Sequence, residues 1–421
     1  MKKLICSCLF LTVFLLPGYK IIAQDFLKIK SVIAEVNADS LIENLNLLTG
    51  EKAVNLNGQS IKISSRYRGS IGNTNAALFL KKKLSAYKSL KVSEQPLPDS
   101  GKNIIAIQTG TLNPKRQIII CAHFDSPVNG VFSPGADDDG SGTSALLEAA
   151  RILSKYSSTN TIVYAFFDQE EDNLNGSEFF ASQAAKNKDS ILAVINLDMI
   201  GWDKNNQNDV EIDSRPVSSS EQLAKNIKEV NEKCDIGLYI TLVSPGSLDA
   251  DNASFWKYSL PAVLVIELYG NLNPYMHKTT DIVQNINKPF YEKCTKLGIA
   301  SAARYTDLTV MDGATDVRDV PASFNSLEQN YPNPFNPETT IQYTILVVDA
   351  KFASTTHVTL KVYDLLGREV ATLVDEFEQP GNYAVTFNVE TPYMASLPSG
   401  VYYYQLKAGR FIQTKKLVLM K

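Results

Sequence analysis

Histidine and cysteine are both scarce in this chain, and positive charge is not in excess. Among 421 residues there are three histidines and five cysteines, and 41 basic residues face 45 acidic ones. A protein that binds a nucleic-acid backbone usually carries a basic surplus, so nucleic acid is not an expected partner. The hydrophobic share of 44% and the charged share of 20% are those of a globular protein. The length predicts two or three domains.

Long apolar runs are also missing, except for one near the start. Two lysines precede an apolar run from Leu4 to Leu16. A run of about 13 residues is too short to span a bilayer and is typical of a signal-peptide core. We therefore predict that residues 1–24 are a signal peptide, with a short membrane anchor as the alternative. The mature protein is expected to have no stable membrane span.

Two of the five cysteines would leave with that segment. The other three are Cys121, Cys234 and Cys294, and an odd number means that at least one thiol stays free in an exported protein. Cys121 lies in an apolar run and is interpreted as a buried core residue. Whether Cys234 pairs with Cys294 stays open.

Apolar strands alternate with helical patterns over residues 25–306. The predicted strands are 103–108, 117–122, 161–167, 191–197 and 261–268, and the predicted helices are 40–48, 73–87 and 142–156. Near-continuous apolar strands between helices indicate an α/β fold. We expect a mixed, largely parallel twisted sheet with helices on both faces.

The sequence changes character after about residue 310. Residues 307–326 are predicted to form a linker, because most of them are small or polar. Residues 327–421 begin with a proline-rich stretch and continue as short alternating strands separated by Gly and Pro turns, which predicts a small antiparallel β-sandwich. His357 falls in this part and is interpreted as a surface residue rather than a ligand.

The other two histidines lie beside acidic residues, where predicted strands end. His123 closes one strand, and His277 follows the last one. Acidic residues follow two further strands, and three adjacent aspartates, 137–139, precede a helix. One aspartate suffices to cap a helix, so the other two indicate a cation. Because ligands bind at the carboxyl ends of strands in such sheets, we expect these side chains to lie close together.

The residue types suit a pair of zinc ions. Zinc binds imidazole nitrogen and carboxylate oxygen, and a catalytic zinc keeps one position open. Two metals need a bridging carboxylate and share a water, which still requires a general base. Each acidic feature alone is more often a solvated loop, but four strand ends that carry acids or imidazoles together favour a dinuclear site.

Five motifs, in order, resemble the M28 metallopeptidases, the bacterial leucyl-aminopeptidase group. They are His123-Phe-Asp125, Gly135-Ala-Asp-Asp-Asp139 with Ser141-Gly142, Glu170-Glu171 with Gly176-Ser177, Asn196-Leu-Asp-Met199, and Tyr275-Met-His277 with Asp281. The resemblance covers residues 40–305. It implies two zinc ions: Asp138 would bridge them, Glu171 and His277 would complete one site, and His123 and Asp198 the other.

The same resemblance implies two further roles and one backbone feature. Glu170 would be the general base, and Asp125 would orient the imidazole of His123. The peptide bond between Asp138 and Asp139 would be cis.

One stretch departs from the family. Relatives usually carry Ser-Asp-His where this chain has Ala250-Asp251-Asn252, and Ser247 takes the place of an aromatic residue that helps to hold the tetrahedral intermediate in some members. All expected ligands and the base are present, so the departure bears on substrate preference and on the oxyanion donors.

The tail resembles the C-terminal sorting domain of the type IX secretion system. Three segments carry this resemblance over residues 327–421, namely 331–337, 362–370 and 397–404. It implies that the chain engages that secretion machinery, passes through the periplasm and is released or held at the outer cell surface.

Together these features predict a secreted dinuclear zinc aminopeptidase that acts on peptides. A glutaminyl-peptide cyclase, whose relatives work with one zinc, and a carboxypeptidase are alternatives on the same fold. A non-enzymatic surface-binding module is a further alternative, but the intact ligand set argues against it.

Overall fold

The computed structural model describes residues 18–127, 130, 132–310, 326–327, 329–345, 356–379, 381–389, 397–409 and 411–420. They fall into two compact units, divided between Ala314 and Thr315. The core of the predicted signal peptide and most of the predicted linker lie outside the described residues. Within the described ranges, no helix is long and apolar enough to cross a membrane.

The first unit contains the helices α1 (Gly18–Ile33), α2 (Ala38–Leu48), α3 (Ile71–Ser85), α4 (Gly140–Leu153), α5 (Asn175–Asn187), α6 (Ser220–Lys233), α7 (Asn252–Lys257) and α8 (Lys288–Arg304). Its strands are β1 (Val54–Leu56), β2 (Gln59–Ile61), β3 (Leu90–Pro96), β4 (Lys102–Gln108), β5 (Asn113–His123), β6 (Tyr156–Ser158), β7 (Asn160–Phe167), β8 (Ser190–Leu197), β9 (Asp209–Asp213), β10 (Tyr239–Val243), β11 (Ala262–Glu267) and β12 (Leu308–Val310).

An eight-stranded sheet forms the centre of this unit, in the order β10-β9-β11-β8-β5-β7-β4-β3. Its middle strands β11, β8, β5 and β7 run parallel. On one side β9 is antiparallel to β11, and on the other β4 is antiparallel to both β7 and β3. The mixed, mainly parallel sheet confirms the predicted fold class.

Toward their carboxyl ends the middle strands are buried on both faces, which explains the apolar runs in those parts of the strands. In β5, Ile118 and Ile120 pack into one hydrophobic cluster, whereas Ile119 and Cys121 pack into another, which includes Phe255 of α7. The prediction that Cys121 is a buried core residue is therefore confirmed. Cys234 and Cys294 are also buried, and both are unpaired.

The predicted helix 142–156 is wrong at its end. Helix α4 stops at Leu153, and Tyr156 begins strand β6, which pairs with Leu308–Val310. The partner strand lies about 150 residues away in sequence, so a local pattern does not reveal it. This pairing also means that the described part of the first unit extends to residue 310.

The second unit is made of antiparallel strands. They are β13 (Ser326–Leu327), β14 (Glu338–Ile345), β15 (Thr356–Tyr363), β16 (Glu369–Glu378), β17 (Gly381–Asn388), β18 (Gly400–Ala408) and β19 (Phe411–Leu419). They form two sheets, β13-β14-β17 and β16-β15-β18-β19. Alternate residues of β15 and β18 are buried, including Leu360 and Tyr404, as the alternating pattern of these strands predicts. His357 is half exposed, with its Nε2 3.1 Å from Asp375 Oδ1, as expected of a surface residue.

Candidate metal centre

The carboxyl ends of four neighbouring parallel strands meet at one edge of the sheet. Strand β5 ends at His123, and Asp198 directly follows its partner strand β8. Glu170 and Glu171 follow β7, and His277 lies in the loop after β11. All seven residues singled out from the sequence, including Asp125 and Asp138, lie in or directly beneath one cleft.

Asp138 lies between the two histidines. Its Oδ1 is 3.4 Å from Nε2 of His123, and its Oδ2 is 3.1 Å from Nε2 of His277. Nε2 of His277 is also 3.3 Å from Oε2 of Glu171. On the other side, Nε2 of His123 is 3.8 Å from Oδ1 of Asp198. Each oxygen of Asp138 therefore faces a different imidazole, and each imidazole faces a further carboxylate.

Two overlapping groups among the described residues have the spacing of a metal site. One consists of His123, Asp138 and Glu171, and the other of His123, Glu170 and Asp198. Within each group the potential ligand atoms lie within 4.8 Å of one another. Since imidazole and carboxylate are the donors that zinc prefers, the residue types fit this metal.

Asp125 holds the imidazole and the two glutamates in place. Its Oδ1 lies 3.3 Å from Nδ1 of His123, which leaves Nε2 facing Asp138. The same carboxylate accepts hydrogen bonds from the backbone N–H groups of Glu170 (3.1 Å) and Glu171 (3.3 Å). Such an outer carboxylate is a regular feature of metal-bound histidines.

The three adjacent aspartates, 137–139, contact three different sets of partners. Asp139 caps α4 through the N–H of Gly142 at 2.8 Å, and its other oxygen accepts from the N–H of His123. Asp137 accepts from the N–H of Gly201 and from Asn273, so hydrogen bonds satisfy it without a cation. Only Asp138 faces the histidines. The inference that two of the three aspartates need a cation is therefore wrong for Asp137. The bond between Asp138 and Asp139 is cis, as the resemblance implies.

Negative charge is in excess at this edge. Burial raises the pKa of Glu171 to about 10 and that of Asp198 to about 7, and it raises the pKa of Glu170 well above its usual value. Burial opposes protonation of His123, yet Glu170 and Asp125 hold its pKa well above normal. Oε1 of Glu171 is buried and has no hydrogen-bond partner. Buried carboxylates that are this poorly compensated favour a bound cation.

A cleft of about 530 Å³ opens over these residues, a size that suits small ligands. Its apolar wall is formed by Leu174, Met199, Leu248, Ile266, Leu272 and Met276. Asp249 and Tyr269 add polar groups, and burial raises the pKa of the Tyr269 phenol to about 12, so this side chain stays a hydrogen-bond donor. The cleft therefore offers an apolar surface beside the carboxylates.

The segment that departs from the family lies along and beneath this cleft. Ala250 lines it, whereas Asp251 is fully buried and neither of its carboxylate oxygens has a hydrogen-bond partner. Burial raises the pKa of Asp251 to about 6. Ser247 does not line the cleft. Its N–H donates to Asp213 at 2.7 Å, and its hydroxyl donates to Asp249 at 2.8 Å.

Sequence reasoning missed the residues that join the loops of this site. Asp281, noted only as part of a motif, accepts hydrogen bonds from the N–H groups of Asp137 and Asp138. The side-chain amide of Asn273 donates to both Asp137 (3.0 Å) and Asp281 (3.3 Å). Arg66 is completely buried, and its guanidinium donates to the backbone carbonyl groups of Pro134 and Gly135, just before the three aspartates. Nothing in the spacing of these residues indicates contacts over such separations.

Comparisons with known proteins agree with the fold and with both family resemblances. Residues 103–302 match the model of Peptidase family M28, and residues 329–420 match that of a secretion system C-terminal sorting domain. Leucine aminopeptidase 1 of Blastomyces gilchristii is 27% identical over 305 residues, which cover 67% of this chain and 75% of the relative.

Two solved structures share the fold. The LapA aminopeptidase of Legionella pneumophila is 22% identical, with a TM-score of 0.56, over 66% of this chain and 74% of that one. A glutaminyl cyclase of Porphyromonas gingivalis is 21% identical, with a TM-score of 0.50, over 64% of this chain and 99% of that one. At these identities the two structures establish the fold only.

Proposed function

We propose that this chain, which contains a peptidase family M28 domain and a secretion-system sorting domain, is secreted and removes N-terminal residues from peptides with two zinc ions and a glutamate base. The position of Asp138 carries this proposal. Its two oxygens face two histidines from opposite sides, which is the arrangement that a bridging ligand requires.

We assign a ligand set to each ion from the residues that surround Asp138. Asp138 would be shared, His277 and Glu171 would hold one zinc, and His123 and Asp198 the other. When bound, the two ions polarise the scissile carbonyl and lower the pKa of a shared water. Asp125 keeps His123 and the backbone of both glutamates oriented toward this place.

Glu170 is the group that we assign as the general base. Its side chain lines the cleft, and its Oε2 lies 3.8 Å from Nε2 of His123. Burial favours its protonated form, so its carboxylate readily takes up a proton. In the reaction, Glu170 would accept the proton of the attacking water and pass it to the leaving amine.

The charges of the cleft favour binding of the free amino terminus of a peptide substrate over binding of its free carboxyl terminus. A carboxypeptidase needs a cation for the carboxylate of its substrate, and no lysine or arginine is present among the described residues that line the cleft. The carboxylates there, Asp249 included, attract an α-ammonium group instead. The apolar wall suits the side chain of leucine or methionine.

A glutaminyl-peptide cyclase is the second candidate, because the Porphyromonas gingivalis cyclase shares the fold. The family resemblance implies that a glutaminyl-peptide cyclase would work with a single zinc ion. His123 and Asp198 are both present, and together with Asp138 they could hold a second metal ion beside the one assigned to His277 and Glu171. A second metal ion favours hydrolysis over cyclisation.

The sorting domain indicates the place of action. A secretion-system tail points to release or to attachment at the outer surface. We propose that the chain reaches it through the periplasm and that residues 327–421 engage the secretion machinery.

The first prediction concerns the base. Glu170→Gln removes the proton acceptor but no assigned ligand, so kcat should fall by at least ~100-fold while zinc content stays near that of the wild type. Leucine release from a chromogenic amide and metal analysis measure the two effects. Glu178→Gln, on the surface of α5, is the control and should keep full turnover. Near-normal turnover of Glu170→Gln would refute the assignment.

The second prediction concerns the bridge. Asp138→Ala should lose both zinc ions, because the bridging ligand serves both, whereas Asp198→Ala should lose chiefly one. Metal analysis of the purified proteins after dialysis measures this difference. Asp235→Ala, an exposed residue next to α6, is the control. Equal losses from Asp138→Ala and Asp198→Ala would contradict the bridging role.

The third prediction concerns the substrate. Leucyl and methionyl amides should be hydrolysed at least ~10-fold faster than glutamyl amides, because the cleft is apolar and rich in carboxylates. N-acetylleucyl amides should not react. Product analysis on a peptide with N-terminal glutamine separates hydrolysis from cyclisation, and a cyclic product would favour the second candidate.

The fourth prediction concerns the tail. A shortened chain that ends at Asp312 keeps every described element of the first unit, so it should fold and retain the kcat/KM of the full chain on several substrates. In the native cell the same deletion should leave the enzyme in the periplasm. A folded, zinc-loaded but inactive shortened chain would show that the tail takes part in catalysis.

A further inference from the structure

Arg66 is completely buried in the first unit, yet no carboxylate oxygen of the described residues lies within 4.0 Å of its guanidinium. Buried arginines are normally paired with a carboxylate, because desolvating an unpaired charge is costly. The side chain is large and lies in the segment before α3, outside every motif that the sequence suggested.

The guanidinium donates instead to four backbone carbonyl groups. Nε donates to the carbonyl of Phe124 at 2.6 Å, and Nη2 to that of Gly135 at 2.9 Å. Nη1 donates to the carbonyl of Leu48 at 3.2 Å and also to that of Pro134. One side chain thus joins three separate segments of the chain.

Two of those segments carry the proposed metal ligands. Phe124 stands directly between His123 and Asp125. Gly135 begins the tight turn that leads to Asp138. A carbon atom added to Gly135 would lie 2.3 Å from the carbonyl oxygen of Asp138 and 3.0 Å from Nη2 of Arg66, so the turn packs closely against the guanidinium.

The backbone of Arg66 is itself fixed. Its N–H donates to Oγ of Ser126 at 3.0 Å, and Ser126 donates in turn to the carbonyl of Ser133. Its carbonyl accepts from Asn73, whose amide also donates to Asp168 at 2.7 Å. The guanidinium therefore has one defined position behind the site.

The nearest charges act on Arg66 without direct contact. Burial lowers its pKa, and the carboxylates of Asp281, Asp125, Asp139 and Asp138 counteract that effect. A guanidinium is positive at any physiological pH. It therefore offsets part of the repulsion among the carboxylates of the site.

We propose that Arg66 is a positioning residue that sets the separation between the His123 and Asp138 segments, so that both can bind the same metal ion. The inference rests on the proposed zinc site. It makes Arg66 a determinant of zinc affinity although it contacts neither zinc nor substrate, since it does not line the cleft.

The test truncates the Arg66 side chain and then adds free guanidinium to replace the missing group. Arg66→Ala should bind zinc ~10- to 100-fold more weakly than the wild type, the usual effect of losing an outer partner of a metal site. Competition with a chromogenic chelator measures this affinity without reference to activity. Guanidinium at millimolar concentration should restore much of the affinity. Urea, which has the same shape without the charge, should restore less.

Arg151→Ala is the matched control. Arg151 is a half-buried arginine of α4 that pairs with Glu148 at 2.6 Å, so its loss also destabilises the first unit. It should lower the melting temperature and leave zinc affinity unchanged. With saturating zinc, Arg66→Ala should show a lower kcat and an unchanged KM, because the cleft lining is intact.

Arg66→Lys keeps the test valid if Arg66→Ala does not fold. Its ammonium retains the charge but cannot reach all four carbonyl groups, so it should fold and bind zinc with reduced affinity. Wild-type zinc affinity in a folded Arg66→Ala or Arg66→Lys protein would overturn the inference. A wild-type protein that binds no zinc would instead overturn the proposed function.

Discussion

Asp138 shares its carboxylate between two imidazoles, and the rest of the site is arranged around that contact. Its oxygens lie 3.4 and 3.1 Å from Nε2 of His123 and of His277, and both histidines line the cleft. Glu170, Glu171 and Asp198 surround the same space, so carboxylates outnumber imidazoles. Burying that much negative charge without a counter-ion is unfavourable, and the proposed zinc ions would supply the missing positive charge.

The parallel sheet makes this crowding possible. Strands that run in the same direction deliver their following residues to one edge. The buried apolar runs in β5, β7 and β8 hold the strand ends in a rigid core. Hydrogen bonds that Asp125, Asp139 and Asp281 accept, and that Asn273 donates, then fix the loops. The chemistry thus depends on short loops that rigid elements hold in place.

Much of this could be predicted from the sequence, because strand ends and residue types are local features. His123 and Asp198 end apolar strands, and the parallel fold itself requires them to meet. The task of Asp137 could not be predicted, since its partners Gly201 and Asn273 are distant in the chain. Arg66 escaped notice for a similar reason: it acts through backbone carbonyl groups, which leave no pattern in the sequence. The end of α4 was misjudged because β6 pairs with a strand near residue 309.

We propose that this edge of the sheet holds two zinc ions around one shared carboxylate. The most direct measurement is the number of zinc equivalents bound per chain, followed by titration of the metal-free protein while leucine release is recorded. We expect two equivalents of zinc per chain, with full activity reached only as the second is added. A single equivalent that gives full activity would contradict it, and cyclisation of N-terminal glutamine by that form would establish the cyclase reading in its place.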